Sequence, residues 1–189
     1  MSAILVGAGG HAKVLAEVLA ARGIELAGYV DPEVCDWLPG LRRIESDQSL
    51  ARNESGDFVI GFGGVTPDQL RRRLDLFRRY RSQGRQFPAI VHPAAWVSRT
   101  ATIDSGAVIL GGAIVQPGAV IGEAAIVNSG AIVEHDVQVG AGSHVAPGAV
   151  ILGDAKIGEC VMVGARAVVV QGAHLSDGGF VRSLERFPR

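Results

Sequence analysis

From Val97 to Val181 every sixth residue is Val, Ile or Leu, fifteen times without a break. A helix has no use for a strict period of six, and a flat strand repeats every two. A parallel β-helix of hexapeptides does use it: three short strands form one triangular coil, and each sends one aliphatic side chain inward. Fifteen such hexads make about five coils. At ~4.8 Å between stacked strands the prism is roughly 24 Å tall. The slot four residues after each aliphatic is small almost throughout, as at Ala107, Ala113, Ala119, Ala125 and Ala131. The slot before it is often Gly, as at Gly106, Gly112, Gly118 and Gly130, as expected where the chain turns a corner with unusual φ. No hexad carries an insertion.

Residues 1–88 follow other rules and read as a separate α/β domain, with 89–189 as the β-helix domain. Ala3–Val6 is a short buried strand that runs into Gly7-Ala8-Gly9-Gly10-His11-Ala12. The spacing of Val14, Leu15, Val18 and Leu19 predicts a helix that stops at Gly23. Further strands are expected at Leu26–Val30 and Phe58–Gly61. Thr66-Pro67-Asp68-Gln69 is a capping box with Pro in the first turn. The helix it opens should bury Leu70, Leu74, Phe77 and Tyr80 and end near Gly84. This alternation predicts a parallel sheet of three or four strands. Pro88–Trp96, including His92, reads as a connector.

Composition narrows the function classes. Of 189 residues 48% are hydrophobic and only 5% aromatic, which suits a core of stacked aliphatics. A net charge of −1 argues against recognition of nucleic acid or membrane by bulk charge. Arg71, Arg72, Arg73, Arg78, Arg79, Arg81 and Arg85 read as the solvated face of one helix. Cys35 and Cys160 read as free thiols of a reducing compartment. No apolar run is long enough to span a membrane, and the start lacks a signal-peptide pattern, so a cytoplasmic location is expected.

Gly7-x-Gly9-x-x-Ala12 after a strand, with Asp31 at the end of the next, fits a dinucleotide fingerprint. Its physics serves any phosphate, because glycine amides and a helix N-terminus form an anion site. NAD would need a second mononucleotide half, which about 88 residues do not supply. A nucleotide or phosphorylated ligand is therefore expected, ahead of a tight turn alone and of a redox cofactor.

The hexad pattern is most disturbed at Val133-Glu134-His135-Asp136-Val137-Gln138. A coil of about eighteen residues stacks His135 on Gly153, which has no side chain to block it. His135 beside Asp136 reads as a general base with a carboxylate that sets its tautomer. The Gly153 N–H is a candidate donor to an oxyanion. Adjacent strand residues point to opposite faces, so the pair cooperates only if the corner turns both side chains together. Asn128 lies one hexad earlier and His144 nine residues on.

In these stretches the chain resembles the bacterial sugar acyltransferases grouped with sialic acid O-acetyltransferase and the N-acetyltransferases of UDP-4-amino sugars. The matching residues are Val6–Lys13, Asp31, Val127–Asp136 and His144–Ala149. The resemblance implies a Rossmann-like domain followed by a left-handed parallel β-helix, acetyl-CoA as co-substrate, and a homotrimer with active sites between neighbouring prisms. It implies direct attack by a nucleotide-linked amino sugar on the thioester, with no metal. His135 and Asp136 would then be catalytic, and Asn128 would face the acceptor. His144 and the Gly153 amide would lie near the thioester, and Gly9, Gly10, His11 and Asp31 would hold the nucleotide or sugar. O-acetylation of a sialic-acid-type hydroxyl and a non-catalytic nucleotide-sugar-binding scaffold are the alternatives. The hexapeptide carbonic anhydrases fit less well, because no two histidines stand five residues apart. The chain departs from the family pattern at Pro32, often a second acid, and at its C-terminus, Gly178 to Arg189.

Overall fold

The computed structural model describes residues 1–50 and 56–188. The α/β domain holds β1 (Ser2–Val6), α1 (Gly10–Ala21), β2 (Glu25–Val30), β3 (Arg43–Ile44), β4 (Asp57–Ile60) and α2 (Pro67–Ser82). Its sheet is parallel, in the order β3-β2-β1-β4. The two-residue strand β3 has too little pattern to be legible in the sequence. Helix α2 begins as expected, with the Gln69 N–H donating to Thr66 Oγ1. The Gln69 side chain reaches back to accept from the Val65 N–H at 2.9 Å.

The prism is a parallel β-helix of two-residue strands from Ile90–Val91 to Arg186–Phe187. They form three sheets of six, six and five strands. The first face starts at Ile90–Val91, the second at Trp96–Val97 and the third at Thr102–Ile103. Register is eighteen residues throughout, as in Ile126↔His144 and Ile132↔Val150. The period-six aliphatics and the small alanines fill the interior together. The repeat therefore extends one hexad beyond the expected span at each end. Val91 pairs with Ile109, so the segment read as a connector already belongs to the first coil. At the other end Phe187 pairs with Val169, and Arg189 lies outside the described residues.

The residue before each inward aliphatic points outward, and this slot differs from face to face. On the first face it holds Ile90, Val108, Ile126, His144 and Met162, all buried, and at the last coil the exposed Phe180. On the third it holds Thr102, Val120, Gln138, Lys156 and His174, all exposed. On the second it holds Trp96, Ile114, Ile132, Val150 and Val168, apolar and only partly covered within one chain, and at the last coil the exposed Arg186.

Helix α2 lies along one column of corners, between the third and first faces. Leu70, Leu74, Phe77 and Tyr80 pack there with Ala124, Ala146, Cys160 and Met162. Arg71, Arg72, Arg78, Arg79 and Arg81 are exposed, as expected of a solvated face, and two of them also reach the prism. Arg78 pairs with Glu159 at 2.8 Å, and Arg81 reaches Ser105 at 3.4 Å. Arg73 is fully buried. Within α2, Arg73 alone departs from that reading.

At Gly106 the column requires glycine twice over. Its φ is +70°, and a Cβ there would stand 2.6 Å from the Phe77 ring. Gly130 has a similar φ of +66° at an open corner. Replacing Gly130 by Ala should cost about 1–2 kcal/mol, the left-handed penalty alone. Gly106→Ala should cost clearly more because Phe77 must also move. Urea unfolding of the two variants checks this, and equal midpoints would refute it.

Candidate active site

At the corner between the second and third faces Asp136 takes a positive φ of 60°. That turn brings two adjacent side chains to the same side, which an extended strand would not do. His135 Nδ1 lies 2.9 Å from Asp136 Oδ2. The carboxylate accepts, so Nδ1 carries the proton and Nε2 keeps its lone pair. The hydrogen bond to Asp136 raises the pKa of His135, more than partial desolvation lowers it. Both side chains are exposed.

The imidazole stands directly over Gly153. A Cβ on Gly153 would lie 2.6 Å from His135 Nε2, so only glycine admits this ring position. The Gly153 N–H makes no hydrogen bond among the described residues, and its carbonyl accepts from Gly172. One corner of the prism thus holds a free imidazole nitrogen and a free amide donor side by side.

Asn128 lies at the other edge of the second face, where that face meets the first. Its Oδ1 accepts from the Ser129 N–H at 2.8 Å, which orients the amide. Its Nδ2 donates to His144 Nε2 at 2.9 Å. His144 Nδ1 in turn donates to the Gly64 carbonyl at 2.7 Å. Both nitrogens of His144 are therefore engaged within the chain. Burial lowers its pKa, outweighing the Gly64 bond that raises it, and keeps the ring neutral. The signal was present in the sequence: His144 occupies an outward slot that holds Ile, Val or Met on its neighbouring coils.

His11 is pushed down to about 3, first by burial and then by the charge of Arg73. It is neutral, and its Nε2 is buried without a hydrogen-bond partner among the described residues. Gly9 and Gly10 stand at the start of α1, where no side chain caps the helix and the first turn holds no acid. A Cβ on either would meet nothing. Asp31 Oδ2 accepts from the Ala8 N–H at 2.9 Å, and Oδ1 from the Glu33 N–H at 3.0 Å. The Trp37 indole donates to the Ala8 carbonyl at 2.9 Å and closes the other side of the glycine loop.

Beside that loop opens a cavity of about 510 Å³ at the carboxyl ends of the strands. Gly7, Asp31 and Pro32 line it, with Phe62 and Leu76 as apolar walls and Glu45 to Gln48 opposite. In the order β3-β2-β1-β4 the chain switches direction between β1 and β4, where open α/β sheets bind ligands. Phe62, Glu45 and Trp37 are the residues that sequence reasoning missed. None of them sits in a periodic pattern.

The N-terminal residues 2–74 match the PglD N-terminal domain, and residues 118–153 match the bacterial transferase hexapeptide of six repeats. The acetyltransferase domain of PglB from Neisseria gonorrhoeae, solved in complex with acetyl coenzyme A, is 30% identical. That match covers 96% of this chain and 88% of the other, with a TM-score of 0.86. The chain belongs to this family of hexapeptide-repeat acyltransferases. PerB from Caulobacter crescentus, in complex with CoA and GDP-perosamine, is 27% identical, covering 98% of this chain and 91% of its own, with a TM-score of 0.66. No curated protein matches the sequence. Among the described residues no helix is long and apolar enough to cross a membrane.

In an acyltransferase that uses His135 as a base, the imidazole must be neutral to act. Its raised pKa places the acid limb of kcat/KM above the ordinary histidine value of about 6.5. Asp136→Asn should shift that limb to lower pH and reduce the rate on the plateau. A limb that stays in place would show that Asp136 does not tune His135.

Proposed function

We propose that the protein transfers an acetyl group from acetyl-CoA to the amine of a nucleotide-linked amino sugar. The observation that carries this reading is the corner where His135 Nε2, held by Asp136, lies against the Gly153 amide. His135 takes the proton from the acceptor amine as its nitrogen attacks the thioester carbonyl. The Gly153 N–H donates to the oxyanion, the CoA thiolate leaves, and the imidazolium returns the proton. Asp136 stabilises the imidazolium meanwhile. Relatives with acetyl-CoA, or with CoA and GDP-perosamine, support both substrates.

The nucleotide sits in the 510 Å³ cavity, with its phosphates toward Gly9 and Gly10 at the α1 N-terminus and Asp31 beside the ribose. His11 and Asn128 face the sugar, and His144 acts through Asn128. The domains divide at residues 1–88 and 89–189, and the reaction takes place in the cytoplasm.

Asn128 and His135 stand at opposite edges of the second face, with the strand Ile132–Val133 between them. A site that uses both is completed by a second chain. The apolar second face, with Trp96 53% exposed, supports a homotrimer in which prisms meet edge to edge. Light scattering should give three times the 19.7 kDa chain. Val150→Arg should give folded monomers without activity, and active monomers would refute the shared site.

Release of CoA thiol from acetyl-CoA, measured across UDP-, GDP- and dTDP-linked amino sugars and free sialic acid, tests the reaction. Turnover of one nucleotide amino sugar is expected, falling by about 10²–10⁴-fold in His135→Ala. Turnover of sialic acid alone would replace the amine by a hydroxyl. Turnover undiminished in the variant would remove His135 as the base.

A further inference from the structure

The chain leaves β4 through Gly61-Phe62-Gly63-Gly64, a segment whose glycines give it little conformational preference of its own. Two side chains hold its alternate carbonyls. Arg73 Nη1 donates to the Ile60 carbonyl at 2.9 Å and also to that of Phe62. His144 Nδ1 donates to the carbonyl of Gly64. Both side chains tie this segment to the prism. Arg73 Nε donates to the Ala124 carbonyl at 3.2 Å, at a corner of positive φ. His144 is itself a prism residue and holds Asn128 through its other nitrogen.

We propose that Arg73 is a positioning residue for the acceptor: with His144 it pins the exit of β4 to the prism, so that Phe62 in the cavity wall and Asn128 on the prism form one fixed site. This rests on reading the cavity and Asn128 as the acceptor site. Stability alone does not account for an arginine here. Its neighbours Leu70, Leu74 and Phe77 already pack the same stripe, and a further apolar residue would fill the position without desolvating a charge. An apolar side chain would not direct three carbonyls from two domains. The guanidinium fork does this, and a lysine ammonium reproduces it poorly.

Arg73→Lys and Arg73→Met test the proposal through both substrates. The KM for the nucleotide amino sugar should rise about tenfold, the loss of roughly one charge-assisted hydrogen bond, while the KM for acetyl-CoA stays within about twofold. Lys should do less damage than Met. Equal changes in both KM values, or no change in either, would overturn it.

Amide hydrogen exchange in the substrate-free protein gives a second readout. The N–H groups of residues 61–65 should exchange about tenfold faster in Arg73→Lys, with those of Leu15–Leu19 in α1 unchanged as a control for folding. Unchanged exchange at 61–65 would overturn the clasp. If the wild-type protein turns over no nucleotide amino sugar, the functional reading fails while exchange still decides whether Arg73 holds the segment.

Discussion

An eighteen-residue coil without insertions stacks each residue on those eighteen before and after it, and the functional placements follow from that stacking. His135 sits over Gly153 because they are eighteen apart. Asp136 approaches Gly118 for the same reason, and there too a Cβ would collide with the carboxylate. The corner proposed as catalytic is therefore formed by two neighbouring coils, one supplying the side chains and the next an open backbone. The same column rule gives α2 its seat: Gly106, Ala124, Gly142 and Cys160 recur every eighteen residues with positive φ, which brings the prism backbone close to the helix. A one-residue insertion in any hexad would shift both columns at once.

Two histidines of the prism illustrate how burial divides roles. His135 is exposed, has one acidic partner and is pushed toward greater basicity, as proton transfer near neutral pH requires. His144 is buried, has a carbonyl on one side and an amide on the other, and is pushed the opposite way. Its neutral form suits a hydrogen-bond relay, because a protonated ring would lose the bond from Asn128. The neighbouring Arg73, pushed down to about 9 by burial, remains a cation at neutral pH and helps keep both His144 and His11 uncharged.

Legibility in the sequence followed periodicity. The prism was readable because its core side chains recur every six residues, and α1 and α2 because theirs recur every three or four. The corner at His135 was readable as a break in that rhythm. What escaped depends on contacts between the two domains. Arg73 falls between Leu70 and Phe77 on the apolar stripe of α2, so its spacing marked it as inward-facing. Its neighbours Arg71 and Arg72 masked that signal by making it look like one more surface charge. His144 was assigned to the thioester by resemblance alone; its bonds to the Gly64 carbonyl and to Asn128 have no signature in the sequence. The cavity escaped because its lining comes from the ends of four separate strands.

The junction between the domains also explains why the cavity and the prism need not be a flexible pair. The first face from Ile90 to Met162 and its corner column pack against α1, β4 and α2. On the proposed reading, a sugar attached to a nucleotide in the cavity would be presented to the prism at a fixed distance, with the binding energy of the remote nucleotide used to orient the reacting amine. The covered first face and the polar third face leave the second as the apolar surface available to another chain. Because Asn128 and His135 flank that surface on opposite edges, covering it would, on the proposed reading, bring an acceptor held at one edge to a base held at the other. Assembly and chemistry would then depend on the same strip of side chains from Trp96 to Val168.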